Sequence, residues 1–243
     1  MIPALLFGAA AVVAAEEWVP LDGPPGADVR SFAAGAASPD RVYASDFYGG
    51  LFASTDRGAS WHPCRDGLGP PNGSTCFLTV TVDPVDEARV YTGSTDGLYR
   101  SVDSGASWQR ILDGVIPWET AVSPRDHDRL IVGTTTGLYS STDGGANWSF
   151  DRAGYIYCVR FDPQHPDTVL AFDNTAGVLR STDAGASWSL VSTSLPAGRN
   201  LLRFDSATPG LVYALAANAS NTNAVFRSTN AGATWTLEFS IDR

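Results

Sequence analysis

Five versions of one eight-residue phrase punctuate this chain and dictate how it can fold. They read STDRGASW from Ser54 to Trp61, SVDSGASW from Ser101 to Trp108, STDGGANW from Ser141 to Trp148, STDAGASW from Ser181 to Trp188 and STNAGATW from Ser228 to Trp235. The tryptophans lie 47, 40, 40 and 47 residues apart. A repeat of that length is one supersecondary unit that cannot bury its own apolar faces, so neighbouring units must stack.

Between the phrases the chain breaks into short β-prone runs parted by Gly, Asp and Pro. The unit ending at Trp108 reads CFLTVTVDP, then ARVYTGS, then GLYRSVD, then the phrase, then SWQRIL. Four such runs joined by tight turns make an antiparallel meander. The other units repeat the plan, and no helical periodicity survives the Gly and Pro spacing. Four-stranded meanders stacked face to face around an axis make a β-propeller, so the expected fold is all-β, with the innermost to outermost strands of each blade lettered A to D. The phrase joins C to D. Its Gly can take positive φ in a tight turn. Asp56, Asp103, Asp143 and Asp183 are placed to accept backbone N–H bonds across that turn, and Asn230 can do so without charge. Trp61, Trp108, Trp148, Trp188 and Trp235 are expected to pack between neighbouring sheets.

The phrase S-x-D-x-G-x-[ST]-W resembles the Asp box, or BNR repeat, of sialidases, sortilin-type receptors, oligoxyloglucan-cleaving glycoside hydrolases and photosystem II assembly factors. Two copies depart from it, with Asn147 for Ser or Thr and Asn230 for Asp. The resemblance implies a propeller and makes the repeated aspartates scaffold on the outer rim. It leaves function open, because the motif occurs in enzymes and in binding proteins alike. The sialidase signature Arg-Ile-Pro is absent, since the only Ile-Pro near the start stands in MIPALL without an arginine. A glycoside hydrolase using two carboxylates is the enzymatic alternative.

Residues 1–15, MIPALLFGAAAVVAA, are apolar and uncharged, with Val13 and Ala15 at the −3 and −1 positions of a small-residue cleavage site. They are expected to be a secretory signal peptide, with a buried N-terminal segment as the alternative, leaving residues 16–243 as the propeller in a secreted or periplasmic protein. Cys64 and Cys76 flank a turn-rich loop and in an oxidising compartment could pair, contributing about 2–3 kcal/mol. Cys158 reads as a buried thiol. EEWVPL, with Trp18, reads as a lone D strand ahead of five full blades. Either five blades close with that strand left over, or an incomplete ring continues beyond Arg243. The second is expected, because the resembling families mostly carry more blades. An open ring would leave an apolar blade face and invite self-association.

The formal charge is −10, and all 16 basic residues are Arg. Without a cationic run, neither nucleic acid nor an anionic membrane is an expected partner. The absence of Lys removes Schiff-base chemistry. His62, His127 and His165 are scattered without metal-ligand spacing, so no metal or cofactor is expected. The A–B turns share one end of each blade with the phrases. The irregular D–A and B–C loops share the other, and loops on a rigid scaffold are the usual binding surface. At that end stand Asp46, Tyr48, Asp96, Trp118, Glu119 and Asp173, with Tyr157, Arg160 and Arg203 along the inner strands. They are the candidate binding residues for a protein or carbohydrate ligand. No residue is singled out as catalytic.

Overall fold

The computed structural model describes residues 23–24, 28–68, 75–217 and 223–241. The proposed signal peptide and the EEWVPL strand lie outside them. Blade 1 holds β1 (Val29–Ala34), β2 (Val42–Asp46), β3 (Gly50–Ser54) and β4 (His62–Pro63). Blade 2 holds β5 (Phe77–Val82), β6 (Val90–Ser94), β7 (Gly97–Ser101) and β8 (Gln109–Asp113). Blade 3 holds β9 (Pro117–Val122), β10 (Leu130–Thr134), β11 (Gly137–Ser141) and β12 (Ser149–Ala153). Blade 4 holds β13 (Ile156–Phe161), β14 (Val169–Asp173), β15 (Gly177–Ser181) and β16 (Ser189–Ser192). Blade 5 holds β17 (Arg199–Phe204), β18 (Val212–Ala217), β19 (Asn223–Ser228) and β20 (Thr236–Ile241). Each sheet is an antiparallel meander in sequence order. The five form a five-bladed β-propeller, with no helix among the described residues.

The core lies between blades, as stacking requires. Ile131 and Ala121 of blade 3 pack with Val159, Val169, Ala171 and Trp188 of blade 4. Leu170, Phe172 and Val178 of blade 4 pack with Leu202, Val212, Ala214 and Trp235 of blade 5. Trp108 seals blade 1 to blade 2 and Trp148 seals blade 2 to blade 3. The Trp148 indole N–H donates back to Ile111 O of the preceding blade at 2.8 Å.

The octapeptide is a self-contained hydrogen-bond unit. In the copy at Ser181, the Ser181 hydroxyl donates to Asp183 and accepts the Gly185 N–H. Asp183 accepts the Ser187 N–H at 2.8 Å and its hydroxyl at 2.6 Å. Asn230 reproduces this with its amide oxygen, as expected. Two consecutive residues of the turn, not one, are left-handed, for example Ala184 at φ 54° and Gly185 at φ 88°. A Cβ at Gly185 would lie 2.3 Å from Ile131 Cδ1, so that glycine serves blade packing as well as the turn. Each turn tip also donates its N–H to its own A–B turn, as Ser104 does to Ala88 and Ala184 to Asp167. At the other end the B–C turns of blades 1–4 each donate to their own D–A loop, as Thr95 does to Cys76 and Asn174 to Tyr155. The loops therefore sort to the two ends as the meander requires.

The cysteine pairing is corrected: Cys64 and Cys76 are both free thiols. Cys64 packs in the seam between blades 1 and 2, towards the octapeptide end where Gly105 lies. Burial there pushes its thiol up to about 12. Cys76 sits at the B–C end, where its N–H donates to the Thr95 hydroxyl. Cys158 is buried and free.

Truncating a seam tryptophan should cost far more than truncating an aromatic elsewhere. Trp148→Ala is expected to lose about 3–5 kcal/mol in denaturant unfolding, and Trp118→Ala distinctly less. A second expectation concerns acid. The hydrogen bonds inside the octapeptides hold Asp56, Asp103, Asp143 and Asp183 at about 2, against an ordinary 3.8. Their stabilisation is complete above the ordinary value and is lost as pH falls through about 2, because the unfolded chain binds more protons in that window. Burial raises Asp83 and Asp151 and works in the opposite sense. Melting wild type and Asp183→Asn between neutral and strongly acid pH isolates one group. The variant should lose less of its own stability over that window.

Candidate functional site

The inner strands β1, β5, β9, β13 and β17 converge on one mouth of about 330 Å³. It is lined by Arg30, Phe47, Leu78, Trp118, Tyr157, Asn200 and Leu201. Five of these are one repeat position. Arg30, Leu78, Trp118, Tyr157 and Asn200 are each the second residue of their blade's inner strand. In four blades that position is a β-bulge. The pairing skips Arg30 between Val29 and Ser31, Leu78 between Phe77 and Thr79, Trp118 between Pro117 and Glu119, and Tyr157 between Ile156 and Cys158. Blade 5 runs through Asn200 without a shift. A bulge inserts an unpaired residue and re-aims its side chain, so the scaffold delivers this position to the mouth.

The mouth is mostly aromatic and aliphatic. Trp118, Tyr155 and Tyr157 cluster with ring centres 4.8–6.2 Å apart and planes tilted by 35–54°. The Arg30 guanidinium lies 4.5 Å over the Phe47 ring and pairs with Asp28 at 2.6 Å. Asn200 is fully buried. It donates to Pro196 O at 2.7 Å, and its side-chain oxygen has no partner.

Below the mouth, side chains cap the channel edge of the next inner strand. The Ser31 hydroxyl accepts the Val80 N–H, Glu119 accepts the Val159 N–H, and the Cys158 sulfur accepts the Leu202 N–H. Glu119 also forms an ion pair with Arg160. Arg203 donates to Leu202 O at 2.9 Å, and burial beside Arg160 lowers its pKa.

The candidate residues therefore divide. Trp118 and Tyr157 line the mouth. Tyr48 is exposed on the rim, edge-on to Phe47. Asp46 accepts the N–H groups of Asp28, Tyr48 and Gly49, and Asp173 those of Tyr155 and Thr175. Asp96 accepts from the Ser94 and Tyr99 hydroxyls. These carboxylates hold turns, and Glu119 and Arg160 hold a seam. None of the four carboxylates lines the mouth. Arg30, Phe47, Leu78, Asn200 and Leu201 were not singled out from sequence. Aligning the repeats would have found the first-layer set, since Leu78, Trp118 and Tyr157 each stand six residues before the A–B turn proline. Among the described residues no cluster of three His, Cys, Asp or Glu side chains could hold a metal, and no helix is long and apolar enough to cross a membrane.

No family model matches the chain, and no curated protein matches it. Solved structures do. An ancestral GH74 enzyme superposes with a TM-score of 0.74 at 21% identity, over 92% of this chain and 32% of that one. The GH74 xyloglucanase from Xanthomonas campestris gives 0.64 at 20% identity, over 87% and 38%. YCF48 bound to D1 peptide gives 0.60 at 19% identity, over 86% and 67%. Likeness at these identities concerns the fold. The chain spans about a third of the length of the GH74 enzymes it matches.

Glu119 ties blade 3 to blade 4 through the Val159 N–H and Arg160. Glu119→Gln leaves Arg160 without its counter-charge and should cost about 3 kcal/mol in denaturant unfolding, whereas replacing both by leucine should recover most of that loss.

Proposed function

We propose that this chain is an exported, non-enzymatic recognition module that grips a protein segment in its central mouth. The observation that carries the reading is the repeated bulge. One repeat position carries Arg, Leu, Trp, Tyr and Asn in the five blades and lines one opening. Its neighbours are occupied by turn-capping and seam-forming groups. Apolar and aromatic walls with few unspent polar groups suit inserted side chains better than a hydroxyl-rich sugar. The tilted rings form a pocket wall and not a flat platform.

The carboxylates argue the same way. A glycosidase needs one acid and one base facing each other across the cleft. Here Asp46, Asp96, Asp173 and Glu119 are tied to backbone, hydroxyl and guanidinium partners, which supports binding over hydrolysis. The five phrases are read as Asp boxes, and the apolar first fifteen residues as an export signal. A solved neighbour, YCF48, carries a bound peptide, in line with a propeller face that takes protein.

Panning a random peptide library against the full chain tests this. Selected peptides should share aromatic or aliphatic anchors. Trp118→Ala and Tyr157→Ala should each weaken them about tenfold or more while the protein stays folded. Trp118-dependent hits on a glycan array, or turnover of chromogenic glycosides, would replace this reading with the sugar one.

A further inference from the structure

Two arginines meet beneath the mouth with one carboxylate between them. They stand at the fifth position of their inner strands, where the five blades carry Ala33, Thr81, Ala121, Arg160 and Arg203. Three blades keep small side chains at this level, and two adjacent blades carry guanidinium groups.

Both arginines take the same pose. Arg160 donates to Val159 O at 3.1 Å and Arg203 to Leu202 O at 2.9 Å, so each hooks onto the carbonyl that precedes it in its own strand. Arg160 then reaches Glu119, the third residue of the preceding blade's inner strand. For Arg203 the residue at that position of the preceding blade is Cys158. Burial pushes the Cys158 thiol up to about 12, so it is neutral at pH 7 and supplies no counter-charge. The surrounding protein, and after it the repulsion of Arg160, holds the Arg203 pKa below its ordinary value, and the attraction of Glu119 does not make up the difference. Its side chain still keeps an exposed surface by which an anion can approach.

Glu119, Arg160 and Arg203 together sum to one positive charge, in a chain whose formal charge is −10. A chain of that sign repels anions at long range, so an anion is held here only by direct contact. The place is the foot of the mouth. Glu119 directly follows Trp118 and Cys158 directly follows Tyr157, and both of those rings line the opening.

We propose that the mouth selects a segment bearing a carboxylate, which Arg203 binds with Arg160 beside it. This rests on the mouth as a protein-binding site and names the chemistry that it reads. Guanidinium and carboxylate pair through two parallel N–H···O bonds. The bond to Leu202 O leaves the other edge of the Arg203 guanidinium facing no carboxylate of the described residues. The carboxylate comes from an Asp or Glu side chain or from a chain terminus.

Titrating the full chain with phenylpropionate and with phenylpropionamide isolates the charge, because the two share one apolar body. The acid should bind about tenfold more tightly than the amide. Arg203→Gln should bring the acid down to the level of the amide. Cys158→Glu should do the same, because it gives Arg203 the counter-charge that Glu119 gives Arg160. Circular dichroism checks that each variant is folded, and Arg203→Gln alone decides if Cys158→Glu is not. Arg227→Gln, which loses only a rim pair with Glu238, should leave the preference for the acid in place. Equal binding of acid and amide to wild type would overturn the proposal and spare the apolar mouth. If neither binds, the arginine Nε–H NMR signals are followed with acetate and acetamide. A shift of the Arg203 signal by acetate alone keeps the anion site and removes the apolar mouth, and no shift removes the site. Peptides selected on the mouth separate the two sources. Amidating the C-terminus should abolish binding if the terminus is seated, and Glu→Gln or Asp→Asn in the peptide if a side chain is. A peptide indifferent to both changes would also overturn the proposal.

Discussion

An innermost propeller strand has a partner on one side only. Its channel-side N–H groups need acceptors, and its sheet needs apolar cover on two faces. In this chain both needs are met by the neighbouring blade. Ser31, Glu119 and Cys158 stand at one repeat position and cap the same N–H in the next blade. A hydroxyl, a carboxylate and a thiol do equivalent work at these three seams, whereas blades 2 and 5 carry Thr79 and Leu201 at the same position. Unpaired edges and uncovered faces are costly in any sheet protein. Everything else in the molecule, including the mouth, rests on this transfer of obligations from each blade to the next.

That dependence explains what could be read from the sequence. The octapeptides announce themselves because their chemistry is local. Ser181, Asp183 and Gly185 bond within eight residues, so the pattern must recur wherever the turn recurs. The tryptophans follow because each seam has the same shape. The bulges left no such mark. FLTVTV and IYCVRF look like plain alternating strands, and nothing local says that Leu78 and Tyr157 are skipped in the pairing. The bulge becomes visible only when register across two strands is known.

The acids show the same split between local and distant partners. Asp46, Asp96 and Asp173 stand on B–C turns among irregular loops, the usual setting of functional carboxylates. Their neighbours consume them locally: Gly49 and Thr175 present N–H groups at the right offset, and Ser94 and Tyr99 present hydroxyls. Asx-type turns of this kind are encoded within three residues. Glu119 differs, because its partners Val159 and Arg160 lie about 40 positions on and only blade packing brings them near. The Cys64–Cys76 pairing failed similarly. Sequence proximity placed the thiols together, whereas the meander carried one to the seam and the other to the opposite end.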